Sequence, residues 1–308
     1  MRRLVIVLFA LVLSSRALAQ ECSVTVLASF YDQLTKSEIE TLKAQDIEIK
    51  INGKKLPVQN ASRDFNNRLL ILLETEGSAK NEKLADLVST VTQQARQAPE
   101  GKPVAFGVFA EKATFTKGFS SEPEIRTAAI NEVVEGAPPL GKGVALWDAL
   151  HEALALFGPH QPGDTILLVG DPYDDSSHHS PESVEKEFIA NGTRLFMMRR
   201  TQGSRVERDF MWQSHDLEKM VLQRTAVETG GLLSLYVASL IRFAWAGYML
   251  EIKLPHGVSR PHKWKVQFRG DAAKTHRKTN FYYPARFPVC EANSPLKKES
   301  AQKGASEN

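Results

Sequence analysis

The sequence predicts a doubly wound, mainly parallel α/β sheet with a small β unit formed by the N- and C-terminal flanks. Three observations support this. The runs at residues 69–73, 104–109, 165–169 and 194–198 are almost uninterrupted apolar segments, as strands buried on both faces are. Helical periodicities separate them, giving strand-helix alternation. The segments outside residues 67–236 alternate with period two instead, the pattern of sheets with one wet face.

The first nineteen residues stand apart. Arg2 and Arg3 precede an apolar run, and Ala17-Leu18-Ala19 puts small residues where a signal peptidase cleaves, so residues 1–19 read as a signal peptide and the protein as exported, periplasmic or extracellular. The run is shorter than the ~20 residues a membrane span requires. The chain has 39 basic and 36 acidic residues, and the leader contributes Arg2, Arg3 and Arg16 without an acid. The remainder is neutral, with no global attraction to nucleic acid or anionic lipid. Its two cysteines, Cys22 and Cys290, are a disulfide candidate in an oxidising compartment. The alternative is two lone thiols.

A strand is expected over residues 23–30. Thr35-Lys-Ser-Glu38 has the capping-box pattern of a short helix, and Ile47, Ile49 and Ile51 alternate into an Asn52-Gly53 hairpin turn. Helices follow from the stripes Leu84, Leu87, Val88, Val91; Ile125, Ala129, Val133; and Trp147, Leu150, Leu154, Phe157. Val184 and Phe188 mark another, opened by Ser180-Pro181 and ended by Gly192. Leu217, Met220, Val221 and Val227 mark the last, which stops at Gly230-Gly231. The apolar stretch 231–250 has the length of a span, but Arg242 inside it would cost ~2.5–3.5 kcal/mol in lipid. It reads as strand, short turn or helix, and strand, leaving no membrane span after signal cleavage. Residues 248–254 and 263–268 are expected to pair, with Trp264, Val266 and Phe268 on the dry face and Lys263, Lys265 and Arg269 on the wet one. The polar tail, 291–308, is expected to be disordered. The chain thus divides into residues 1–19, a flank over 20–66, a core over 67–236, a second flank over 237–290, and the tail.

Several stretches imitate chemistry. "GAPPLGKG" at 136–143 resembles a phosphate loop, but a helix pattern precedes it and Gly143 stands where a hydroxyl is needed; it reads as a loop feeding a helix. "GDPYDDSSHHS" at 170–180 gathers Asp171, Asp174, Asp175, His178 and His179, a mixed set that could attract a divalent ion. Adjacent histidines point apart on an extended chain, however, and such loops are commonly solvated turns. Asp171 is different, standing where open α/β sheets hold ligands. His151-Glu152 lacks the second histidine of a zinc protease, and no Gly-x-Ser-x-Gly elbow occurs. No catalytic set is supported, and a non-enzyme is expected. "ETEGS" at 74–78 ends a buried strand with Glu74, Thr75, Glu76, Gly77 and Ser78, oxygen donors in one loop.

In order, "ETEGS", "GKGVALWDAL" and "ILLVGDPYDDSS" resemble the von Willebrand factor A-type domains, and specifically the exported VWFA-related proteins of Acidobacteria. The flanks are similar too, in "LTKSEIETLKAQDIEIKINGKKLPV", "VETGGLLSLY" and "AGYMLEI…HKWKVQF". The resemblance implies a Rossmann-like core and a protein partner at the carboxyl-end loops of the sheet. It also implies a metal-ion-dependent adhesion site, whose Asp-x-Ser-x-Ser loop falls on Glu74, Glu76 and Ser78, its threonine on Val144 and its last aspartate on Asp171. Two hydroxyl ligands are thereby replaced. Glu74 is also a methylene longer than aspartate, and magnesium, which wants near-octahedral oxygen ligands at ~2.0–2.1 Å, tolerates such displacement poorly. Calcium is less demanding. The resemblance therefore implies a degenerate adhesion site with Thr75, Gly77, Lys142, Val144, Asp174 and Asp175 in partner-binding loops. The alternatives are a calcium- or magnesium-dependent binding protein or hydrolase using the acidic loops, and a purely structural envelope component.

Overall fold

The structure is a computed structural model and describes residues 22–75, 82–136, 143–199, 216–234, 237–254 and 264–286. The expected signal peptide, Cys290 with its disulfide, and the tail lie outside the described residues.

The chain opens with β1 (Cys22–Asp32), β2 (Ser37–Glu38), β3 (Ile47–Ile51) and β4 (Lys54–Ser62). The middle alternates β5 (Leu69–Glu74), α1 (Glu82–Arg96), β6 (Val104–Phe109), β7 (Ala113–Phe115), α2 (Pro123–Glu135), α3 (Leu146–Leu156), β8 (Thr165–Gly170), α4 (Pro181–Asn191), β9 (Arg194–Arg199), α5 (Asp216–Thr229), β10 (Leu233–Ser234) and α6 (Val237–Trp245). It closes with β11 (Tyr248–Leu254), β12 (Trp264–Phe268), α7 (Gly270–Thr275) and β13 (Thr279–Tyr282).

The middle elements build a six-stranded sheet in the order β10-β9-β8-β5-β6-β7, parallel except for β7. Successive side chains of a strand face opposite sides, and β5 shows the result. Leu70 and Leu72 join Trp147, Leu150, Val184 and Phe188 in one core, packed by α3, α4 and α5. Leu69, Ile71 and Leu73 join Val91, Ile130 and Ile241 in another, packed by α1, α2 and α6. Because both faces are covered, the strands read as continuous apolar runs.

The ends of α4 follow local chemistry. The Ser180 hydroxyl accepts from the Ser183 amide, Pro181 occupies the first turn, and Gly192 terminates the helix at φ 66°, a conformation that suits glycine. Two stripes differ from expectation. On α2, Ile125 is exposed and Arg126 is buried with Ile130 and Val133. Its guanidinium donates to the Arg96, Ala98 and Lys102 carbonyls, and so collects acceptors at the end of α1. On α5, Leu217, Met220 and Val227 face solvent, whereas Val221, Leu222, Thr225, Ala226 and Thr229 are buried. The threonine hydroxyls donate to the Val221 and Thr225 carbonyls one turn earlier, which makes them compatible with burial.

The flanks meet in a second, antiparallel sheet, β12-β3-β4-β11-β1-β13, with β2 paired to β1. Asn52 at φ 50° and Gly53 at φ 79° make the β3–β4 turn, as the Asn-Gly signal predicts. Two expectations fail. Residues 35–38 form a turn and the short β2, not a helix, because the Asp32 carboxylate accepts the Leu34 and Thr35 amides as a turn and β2 pairs with β1. β11 and β12 share a sheet but are not partners, since β4 and β3 lie between them. The alternation of Trp264, Val266 and Phe268 toward the core holds. β12 and β13 end the strand order, yet Trp264 meets Tyr283 at 4.7 Å and Phe268 meets Phe281 at 4.9 Å between ring centroids. The sheet therefore curls until its edge strands approach through their side chains.

Polar contacts join the layers. The Ser29 hydroxyl on β1 donates to the Ala246 carbonyl just after α6, at 2.8 Å. Arg194 on β9 is fully buried and reaches Ser29 and the Gly230 carbonyl, each at 3.3 Å.

Candidate functional site

From β5 the chain crosses to β6 on one side, and β8 leads to β9 on the other. The crevice at the carboxyl ends of β5 and β8 is therefore the topological switch point, where open α/β sheets hold ligands. Glu74 ends β5, and Asp171 directly follows β8.

Glu74 is buried, and its Oε2 accepts the Asp171 amide at 2.6 Å. Its side chain lies over Gly170, where a Cβ would come within 2.6 Å of that oxygen. The Thr75 amide and hydroxyl both donate to the Phe109 carbonyl, at 2.8 and 3.1 Å. The first acid thus ties two strand ends together.

The loop after β8 has a definite task. α3 begins after Val144 and Ala145, and Ala145 at its N-cap has no side chain able to accept from the first amides, which need partners. The loop supplies them from across the crevice. Asp175 Oδ1 accepts the Val144 amide at 2.7 Å, and Asp174 Oδ1 accepts the Leu146 amide at 2.9 Å. The Ser177 hydroxyl accepts the Trp147 and Asp148 amides at 2.9 and 3.2 Å and donates to Asp174 at 2.6 Å. The Val144 carbonyl in turn accepts the Asp175 and Ser176 amides. Gly143 permits this approach, because a Cβ there would stand 2.0 Å from the Ser176 hydroxyl.

Asp148, in the first turn of α3, anchors the other end of the loop. It accepts the backbone amides of His178 and His179 and pairs with both Nδ1 atoms, at 3.0 and 2.7 Å. The two histidines, expected to point apart, therefore converge on one carboxylate. The His179 ring stacks on His151 at 4.0 Å, and His151 Nδ1 meets Glu187 at 2.8 Å. Burial raises the Asp148 carboxyl, but the backbone and imidazole hydrogen bonds outweigh it and hold the group well below the usual carboxylate range. Asp174 is pushed up, chiefly by burial, against the bonds from Ser177 and Leu146. Asp175 is lowered, first by the Tyr173 hydroxyl, then by the Val144 amide and Ser176.

Of the expected site residues, the crevice brings Glu74 to Asp171, and Val144 to Asp174 and Asp175. Glu76, Gly77, Ser78 and Lys142 lie outside the described residues. The described part does not fit a hard cation. Such an ion needs several converging oxygens, whereas Glu74 is turned to a backbone amide and Val144, 1 % exposed, brings a hydrocarbon side chain. Among the described residues, no three His, Cys, Asp or Glu side chains gather as metal ligands. Ser177, Asp148 and His151 were not foreseen at this site. The available signal was a helix start without its own capping residue.

No family model and no curated protein matches the chain. Among solved structures it is similar to proximal thread matrix protein 1 from the mussel byssus with a zinc-occupied MIDAS motif. That likeness has a TM-score of 0.45 and 17% identity over 63% of this chain and 48% of the mussel chain. It is similar to a von Willebrand factor type A protein from Catenulispora acidiphila, with a TM-score of 0.38 and 14% identity over 68% of this chain and 50% of the other. For an aerotolerance-related membrane protein from Bacteroides fragilis the TM-score is 0.40, with 14% identity over 58% of this chain and all of that one. The chain spans about half the length of the first two.

Proposed function

We propose that the protein is an exported, non-enzymatic interaction module that binds a protein partner through the loops at the carboxyl end of the parallel sheet. One observation carries this reading: loop 171–180 is fastened at both ends to α3, by Asp174, Asp175 and Ser177 at one end and by Asp148 at the other. A loop held this way loses little conformational freedom when a partner docks, which favours recognition. Its polar groups are committed to shaping the loop, which accords better with presentation than with turnover. The resemblance of the "ETEGS" and "GDPYDDSS" stretches to adhesion loops supports the same edge.

The leader-like residues 1–19 support export, and no helix among the described residues is long and apolar enough to cross a membrane. In this reading neither calcium nor magnesium is needed, since among the described residues Glu74 accepts the Asp171 amide and Val144 brings an apolar side chain. The test is crosslinking capture from the envelope fraction, with and without EDTA. A defined partner retained in EDTA and lost in a Tyr173→Ala/His178→Ala variant is expected. Capture abolished by EDTA and restored by calcium would establish the metal-dependent alternative, and capture unaffected by the double variant would move the interface elsewhere.

A further inference from the structure

A cavity of about 570 Å³ lies away from the loop edge, where the turn between β1 and β2 faces the last turn of α6 and the end of α7. None of its lining residues belongs to the crevice. Tyr31 and Phe243 form an aromatic wall, with ring centroids 5.3 Å apart. Lys36 and Arg242 stand at its rim, both exposed.

The hydrogen-bonding groups of this wall are unbalanced. Its buried and half-buried acids are already engaged. Asp32 accepts the Leu34 and Thr35 amides and pairs with His276 at 3.0 Å. Glu38 accepts the Gly247 amide at 2.6 Å and pairs with Arg63 at 3.2 Å, and Glu40 also pairs with Arg63. Lys36 and Arg242 are the cations of the wall left without a carboxylate among the described residues. Donors are therefore in excess, and the ligand that completes them is an acceptor.

Lys36 carries a second signal. Its φ is 53°, and Asn52 is the other non-glycine residue with positive φ among the described residues. Asn52 occupies an Asn-Gly turn, where that conformation is ordinary. A lysine there is costly and would be replaced by glycine without strain, so the turn holds an amine at the cavity mouth against its own backbone preference. Outliers of this kind cluster at ligand clamps.

We infer that this cavity binds a small carboxylate with an apolar body, the carboxylate between Lys36 and Arg242 and the body against Tyr31 and Phe243. The guanidinium offers a two-bond match to a carboxylate, and the volume lies within the range of small-molecule sites. The experiment is calorimetric titration of the full chain with sodium benzoate at constant ionic strength, with inorganic phosphate as the comparison. Saturable benzoate binding is expected, weakened roughly tenfold by Arg242→Gln and by Lys36→Gly, as loss of one charged contact implies. Lys36→Gly should leave the melting temperature unchanged or raised, separating loss of the site from loss of the fold. Absence of saturable binding, or an affinity in either variant unchanged from that of the native protein, would overturn the inference. So would phosphate binding as tight as benzoate, since the aromatic wall would then contribute nothing.

Discussion

Asp148 shows how much one side chain carries. It accepts two backbone amides, meets two imidazoles, and fixes the loop that in turn caps its own helix. Asp148→Asn keeps the shape but removes the charge that these donors share, and should cost about 1.5–3 kcal/mol at neutral pH. The sign of its pH dependence follows from the lowered carboxyl. A depressed folded value means stability that is complete above the unfolded value of about 3.9 and is lost as pH falls through the folded value. Urea midpoints of the native protein and Asp148→Asn should therefore differ at pH 7 and converge in acid. A gap that persists undiminished at the lowest accessible pH would assign the effect to packing.

At the scale of elements, close approach decides what tolerates change. Gly231 follows α5 where the chain crosses β9, and a Cβ there would stand 1.8 Å from the Leu195 carbonyl oxygen. Gly231→Ala should destabilise by about 1–3 kcal/mol, because backbone atoms cannot move aside as a side-chain tip can. Gly118→Ala, with nothing within 4 Å of its Cβ, should stay within about 0.5 kcal/mol. Denaturant titration of both variants checks the contrast. The same elements show what was legible in the sequence. The buried strands were, because an apolar run reports burial on both faces. The face of α5 was not, because it packs through small residues and self-satisfied threonines while Leu217, Met220 and Val227 look outward. At the site, the strand ends at Glu74 and Asp171 were legible. The capping of α3 was not, since its donors and acceptors are about thirty residues apart in the chain and no local pattern encodes such a pair. The burial of Arg126 escaped for the same reason.

At the scale of the whole molecule, the two sheets are joined by Ser29 and the buried Arg194. Burial pushes the Arg194 guanidinium down to about 9, with Glu38 acting against it. These contacts leave neither layer a complete surface without the other. Unfolding in urea should therefore be a single transition. Fluorescence of variants retaining only Trp147, in the parallel layer, or only Trp264, in the antiparallel one, should give coincident curves. Separate midpoints would show that the layers melt independently. The curl of the antiparallel sheet has a further consequence. An exposed strand edge is a template for another chain and a route to aggregation. Here β12 and β13 turn toward each other across the Trp264–Tyr283 and Phe268–Phe281 contacts, and among the described residues the other sheet ends in β7 and β10, three and two residues long. If the proposed partner binding holds, the molecule would thus offer loops for contact while withholding the backbone edges through which contact becomes indiscriminate.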